Sequence, residues 1–289
     1  METITIWMFG GLEIRNASGA PVPITNPKAA SLLSFLILNR DRPQTTDTLI
    51  EIFWPQHEPV LSRGILRHAF DHISTACADH DIDASTFMTC EDDAFWFQAN
   101  DSVQIDVDAF DRATGGQTKA SLDDDDAADL SSAVALYRGD LLPGEKGPWC
   151  EPFREKNRQR FLRAVEGLID HAIRHHQWSR AILYGTRYLA RDPLAEPVHA
   201  ALMTCFHAAG NRAAAIRQFR HLTDSLRGML NSEPSDETVA LYQEILNDST
   251  RNCSPKNPRA ATVSRARPTT GMQPAVPSGL LGSCVWNKS

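Results

Sequence analysis

Five residue pairs in the second half of the chain recur at one interval. Leu168 and Leu202, Ala172 and Phe206, Gln177 and Asn211, Ala181 and Ala215, and Ile182 and Ile216 each lie 34 residues apart. Around them the apolar positions follow helical spacing, broken at His176-Gln177 and again at Gly210-Asn211, and Pro193 stands where the first unit must end. A period of this length holds two amphipathic helices and a turn. Such a unit cannot bury its apolar face alone, so it stacks on its neighbour to make a continuous core. From residue 127 onward only helical periodicity is present, and this half is expected to be all-helical.

The first half is patterned differently. Ile4, Ile6 and Met8 alternate as a strand does, Gly10-Gly11 breaks the run, and Leu12 to Ile14 and then Val22 and Ile24 follow as further strands of a small antiparallel sheet. Asn26 before Pro27 is a helix start, with the stripe Ala29, Leu32, Leu33, Leu36 and Ile37 behind it. Thr45-Thr46-Asp47 caps a second helix through Leu49, Ile50 and Phe53, which Trp54-Pro55 stops. A third runs from about Val60 to Ala78, with Leu61, Ile65, Leu66, Ala69, Ile73 and Ala76 on one arc and Arg63, Arg67, Asp71, Ser74 and Thr75 on the other. Phe87 to Thr89 and Phe95 to Phe97 form a hairpin around Glu91-Asp92-Asp93. Sheet, three helices and hairpin in this order make a winged helix-turn-helix, with the third helix as reader and the hairpin as wing.

Charge divides the chain in three. Residues 1–110 carry 6 Lys/Arg against 16 Asp/Glu, residues 111–247 carry 17 against 19, and residues 248–289 carry 6 against 1. The last segment holds Pro255, Pro258, Pro268, Pro274 and Pro277 and too few apolar groups for a core, and it reads as a disordered basic tail. No apolar run is long enough to cross a membrane, and Met1 to Ile4 lacks the flank of a signal peptide, so a cytoplasmic location is expected. The six cysteines stand singly and read as reduced thiols. His171, His175 and His176 have no acidic partner at metal-ligand offset in the sequence and read as a solvated helix face, with no metal. Asp123 to Asp126 lack the alternate spacing of a calcium loop. Phosphate-binding glycine loops and nucleophile elbows are missing as well, so no enzyme activity and no cofactor are expected.

Several segments resemble known families. The 34-residue unit is similar to tetratricopeptide repeats in period and small-residue placement, without the glycine and tryptophan usual in their first helix. Leu136-Tyr137-Arg138-Gly139-Asp140-Leu141-Leu142, Trp149 with Glu151 and Arg154, and the run from Glu196-Pro197 to Glu233-Pro234-Ser235 resemble the bacterial transcriptional activator domain. Lys28-Ala29, Leu49-Ile50 and Trp54-Pro55 look like the OmpR/PhoB-type winged helix that precedes that domain in SARP-type regulators. The resemblance spans residues 4–247 and implies transcriptional regulation, usually activation, through promoter DNA and RNA polymerase. Residues 65–77 keep the apolar positions of the family's reading helix. His72, Ser74 and Thr75, however, stand where basic residues are common, and Asp71 stands four residues past Arg67, close enough to pair with it.

The expected architecture is mainly α with a small β component: a winged helix over residues 1–104, a tetratricopeptide-like activator domain over 105–247 and a disordered tail over 248–289. The expected contacts to double-stranded DNA are Arg63, Arg67, His68, His72, Ser74 and Thr75. Trp54, Phe70, Trp96, Trp149, Phe153 and Trp178 are assigned to cores and the domain interface. Further partners would be RNA polymerase or another protein on the helical repeats, and a homodimer stays open. The competing reading is a protein-interaction module that keeps the winged-helix fold but has lost or weakened duplex binding. A balance of −10 over residues 1–110 is a poor start for phosphate neutralisation.

Overall fold

The computed structural model describes residues 3–56, 58–115 and 122–248. The expected tail lies, from residue 249 on, outside the described residues, as do its cations Arg251, Lys256, Arg259, Arg265 and Arg267. The fold is mainly α with two small sheets.

Strand β1 (Ile4–Trp7) pairs antiparallel with β2 (Glu13–Arg15), Ile6 opposite Ile14, across a turn in which Gly10 and Gly11 take φ +89° and +134°. The third strand expected at Val22 and Ile24 shrinks to an isolated bridge between Arg15 and Pro21 and one bond, from the Val22 amide to the Ile14 carbonyl at 2.8 Å. Pro21 and Pro23 have no N–H to give, which leaves Val22 as the pairing donor between them. The sheet is completed by a strand that the sequence reading did not anticipate, because β6 (Val103–Ile105) runs parallel to β1 on its other edge.

Helix α1 (Pro27–Leu38) starts as expected: the Asn26 side chain accepts from the Lys28 and Ala29 amides at 2.9 and 3.3 Å. Strand β3 (Gln44–Thr45) leads into α2 (Thr46–Phe53), and α3 (Pro59–Ala78) follows. Strands β4 (Met88–Glu91) and β5 (Ala94–Phe97) form the hairpin, and β3 pairs on the free side of β5. Beyond them lie α4 (Asp106–Thr114), α5 (Asp124–Leu136), α6 (Glu151–Arg174), α7 (Trp178–Leu189), α8 (Glu196–Ala208), α9 (Arg212–Leu230) and α10 (Asp236–Asn247).

The 34-residue period is exact at the level of hydrogen bonds. Gln177 donates to the Ala172 carbonyl and Asn211 to the Phe206 carbonyl, both at 2.8 Å; His176 donates to Ile173 at 3.0 Å and Gly210 to His207 at 2.9 Å. Each turn is a helix stop with one left-handed residue, His176 at φ +55° and Gly210 at φ +78°.

One hydrophobic core runs without interruption from Ile4 in β1 to Leu202 in α8. The Asp106 carboxylate, 4% exposed at the start of α4, accepts from the Met8 and Phe9 amides at 2.9 Å and joins α4 to the end of β1. Burial, only partly offset by those amides, pushes its carboxyl above the usual range. Tyr137 is stacked on Phe161 with centroids 4.3 Å apart and packs on Phe9 at 4.7 Å. Leu141 bridges to Phe9, and a Cβ on Gly139 would come within 3.1 Å of the Gly10 Cα. Arg138 lies 4.1 Å over the Trp7 ring. Trp149 packs edge-on to Phe35 of α1 at 5.2 Å, while Arg154 donates to the carbonyls of Leu141, Leu142 and Glu145. Among the described residues no helix is long and apolar enough to cross a membrane.

Candidate nucleic-acid interface

The exposed arc of α3 is set by what its other face buries. Leu66, Ala69, Ile73 and Cys77 are at most 3% exposed, which turns Arg63, Arg67, His68, Asp71, Ser74 and Thr75 to solvent. Gly64 has open space where a side chain would stand: among the described residues nothing lies within 4 Å of that point. The hairpin flanks the arc: Phe70 packs on Phe95 of β5 at 4.4 Å. Asp92 and Asp93 close the hairpin with φ +50° and +63°, the sign required at both central positions of a two-residue type I′ turn.

That turn is fastened to α2. The Thr46 amide and hydroxyl donate to Asp93, the hydroxyl reaching its Oδ1 at 2.7 Å. Arg63 is thereby placed between two carboxylates, Asp47 at 3.4 Å and Asp93 at 3.7 Å. Both pairs are well exposed, and such pairs hold by no more than about 1 kcal/mol, so a phosphate could displace them. Arg67 is exposed and lies near Cys90 of β4. The pairing of Arg67 with Asp71 expected from the sequence is not formed among the described residues: the acidic groups that engage α3 come from α2 and the wing instead. His68, Ser74 and Thr75 are exposed. His72 is half-buried at the edge of the arc, where its Nε2 accepts from the Asn26 amide at 3.2 Å and lies 3.2 Å from the Thr25 hydroxyl. It ties α3 to the start of α1.

A second cluster corrects the sequence reading. His171 is 6% exposed, not part of a solvated face, and its Nε2 lies 3.1 Å from Asp124 Oδ1. The missing acidic partner is thus supplied by α5, 47 residues away. By contrast the buried thiols of Cys77 and Cys150 are pushed up to about 11 by desolvation, which makes them inert packing groups.

Residues 105–246 match the bacterial transcriptional activator domain. The chain has the architecture of a SARP-type transcriptional regulator. It is 26% identical to the transcriptional regulatory protein MoaR1 of Mycobacterium bovis, over 83% of this chain and 78% of that protein. It is 23% identical to the transcriptional regulatory protein EmbR of Mycobacterium tuberculosis, over 83% of this chain and 62% of that one. The solved structure of Mycobacterium tuberculosis EmbR in complex with a low affinity phosphopeptide superposes with a TM-score of 0.64 at 21% identity, covering 86% of this chain and 66% of that one. This SARP-type chain therefore shares EmbR's fold while spanning under two thirds of its length. The segments that carried the resemblance have a structural task here. Tyr137 to Leu142, Trp149 and Arg154 form the seam between the winged helix and the repeats.

Proposed function

We propose that this SARP-type regulator binds promoter DNA through α3 and the β4–β5 wing. Arg67 would lead the contacts and Arg63 would join them by exchanging Asp47 and Asp93 for a phosphate. His68, Ser74 and Thr75 lie along the same arc and would face base edges or backbone, while His72 would act by orienting α3. The observation that carries the reading is the solvent-facing arc of α3, uncovered from Arg63 to Thr75 and flanked by a hairpin pinned to α2. The output would be activation, with RNA polymerase or another protein on the helical repeats, in the cytoplasm and without a catalytic step. A homodimer would double the phosphate contacts and help offset the acidic front.

The acidic pair around Arg63 favours a second reading, in which the same face recognises a protein. Selection of duplexes from a random pool at ~50 mM salt separates the two, because phosphate contacts are strongest at low salt. Enrichment of a common site is expected. Arg67→Ala should then cost roughly 1–3 kcal/mol of binding, and Asp93→Asn should strengthen it and steepen the salt dependence by about one unit. A pool that stays random sinks the DNA reading.

A further inference from the structure

The histidine cluster at the end of α6 answers to neither the repeat nor the DNA face. In the second repeat the positions that correspond to His171, His175 and His176 are Cys205, Ala209 and Gly210, and the turn closes with the same hydrogen bonds. The backbone therefore does not demand histidines here.

Their placement has the form of a ligand set. His171 in the last turn of α6 and His175, the residue that caps it, are four positions apart, their rings stacked with centroids 4.4 Å apart. Asp124, in the first turn of α5, brings a carboxylate to His171, and one ligand atom from each of the three lies within 4.8 Å of the others. His171 is buried and fixed, while Asp124 and His175 are exposed and free to adjust. Bonds of about 2.0–2.1 Å to a tetrahedral ion need donor atoms about 3.3 Å apart; Asp124 Oδ1 and His171 Nε2 already stand 3.1 Å apart, and no pair would have to close by more than roughly 1.5 Å. Asp124 and His171 also line a cavity of about 410 Å³ between α5, α6 and α7, with Tyr184 and Ser131 hydrogen-bonded at 2.9 Å on its wall and Arg180 in its lining. An ion held by the triad would keep its remaining coordination positions toward this space.

We propose that Asp124, His171 and His175 form a binding site for a borderline divalent transition-metal ion, of which Zn²⁺ is the type. Two imidazoles and one carboxylate suit such an ion, whereas Ca²⁺ and Mg²⁺ favour all-oxygen shells. Three protein ligands leave an open position, so the site is one for reversible occupancy rather than a closed structural cage. Occupancy clamps the start of α5 to the end of α6 and makes the stability of the helical half depend on metal concentration.

The test uses the full chain carrying Cys90→Ser, Cys253→Ser and Cys284→Ser, which removes the thiol exposed among the described residues and the two that lie outside them, with Co²⁺ as the probe. One Co²⁺ per chain is expected to give a visible absorption band that Zn²⁺ displaces, and Zn²⁺ is expected to raise the melting temperature. His175→Ala and Asp124→Asn should each weaken Co²⁺ binding by at least the roughly 10–100-fold that loss of an outer-shell partner costs. Their metal-free circular dichroism and melting should match the parent, since both residues are exposed. His175→Gln serves if the alanine variant fails to fold. Absence of a band and of calorimetric heat with excess metal overturns the proposal. So does a band that survives unchanged in the Asp124 and His175 variants.

Discussion

The two helical pairs, α6–α7 and α8–α9, are superimposable in the chain's own hydrogen bonds and unlike in what their shared frame carries. Where the first has Val165, the second has His199, buried, its Nε2 donating to the Pro193 carbonyl and its Nδ1 accepting from the Gln218 side-chain amide. Where the first has Gly185, the second has Phe219, stacked flat on Tyr242 of α10 at 4.1 Å. Where the first has His171 on Asp124, the second has a buried Cys205. A repeat thus needs its turn and a few small or apolar positions, and leaves the rest open for local tasks. The first unit spends that freedom on a polar corner, the second on an aromatic lock with the final helix.

The strongest break in this comparison is at the joint between the units. Leu202 is 2% exposed, and a Cβ on Gly185 would stand 2.6 Å from its Cδ2. Leu202→Ala should cost about 2–5 kcal/mol in denaturant unfolding. Gly185→Ala alone should cost about 1–2 kcal/mol, overpacking outweighing its gain in helix propensity. In the Leu202→Ala background the same change should be neutral or stabilising, and additive effects would show that the two do not meet.

Acid should separate the units next. Burial holds the His199 ring below its ordinary value of 6.5, with His221 adding to the effect and the Pro193 bond opposing it. The unfolded chain then binds more protons, so stability is full above pH 6.5 and falls as pH drops below it, by up to about 1.4 kcal/mol per unit. Hydrogen exchange in α8 and α9 should quicken with acid, and His199→Val, which copies the first unit, should flatten that dependence.

The left-handed turn residues give a smaller, reciprocal effect. Gly210→Ala should destabilise by about 1 kcal/mol and His176→Gly should stabilise by up to the same amount, both read in thermal melts. Least of all, Asn211 caps α9 by accepting from the Ala214 amide at 3.1 Å, while Gln177 makes no cap bond to α7. Gln177→Asn should raise stability by about 0.5–1 kcal/mol, and Asn211→Ala should lower it by a similar amount.

What was legible in the sequence was local or periodic. Asn26-Pro27, the apolar arc of α3 and the 34-residue interval each report on neighbours within a turn or on a repeated unit. Strand β6 escaped notice because three residues hold little pattern and their partner, β1, lies 99 positions earlier. The ion pairs of α3 are hidden for the same reason. An i,i+4 pair on α3 was the natural expectation, yet Arg63 finds Asp47 and Asp93 across two loops. Likewise nothing in the order of residues announces that Asp124 will meet His171, since tertiary packing alone makes them neighbours.

The seam at Asp106, Tyr137 and Trp149 has a consequence for geometry on a duplex. If α3 reads DNA as proposed, it does so welded to the repeats through one core, with no swivel to accommodate the target. Where two copies occupy one duplex and touch through their repeats, the outline of the protein itself acts as a ruler, and the pitch of the DNA supplies its graduations. Inserting ~5 bp, half a helical turn, between two bound sites would turn one reader to the far side of the helix and abolish joint occupancy. A full turn of ~10 bp would restore the facing while adding distance that the welded body cannot stretch to cover.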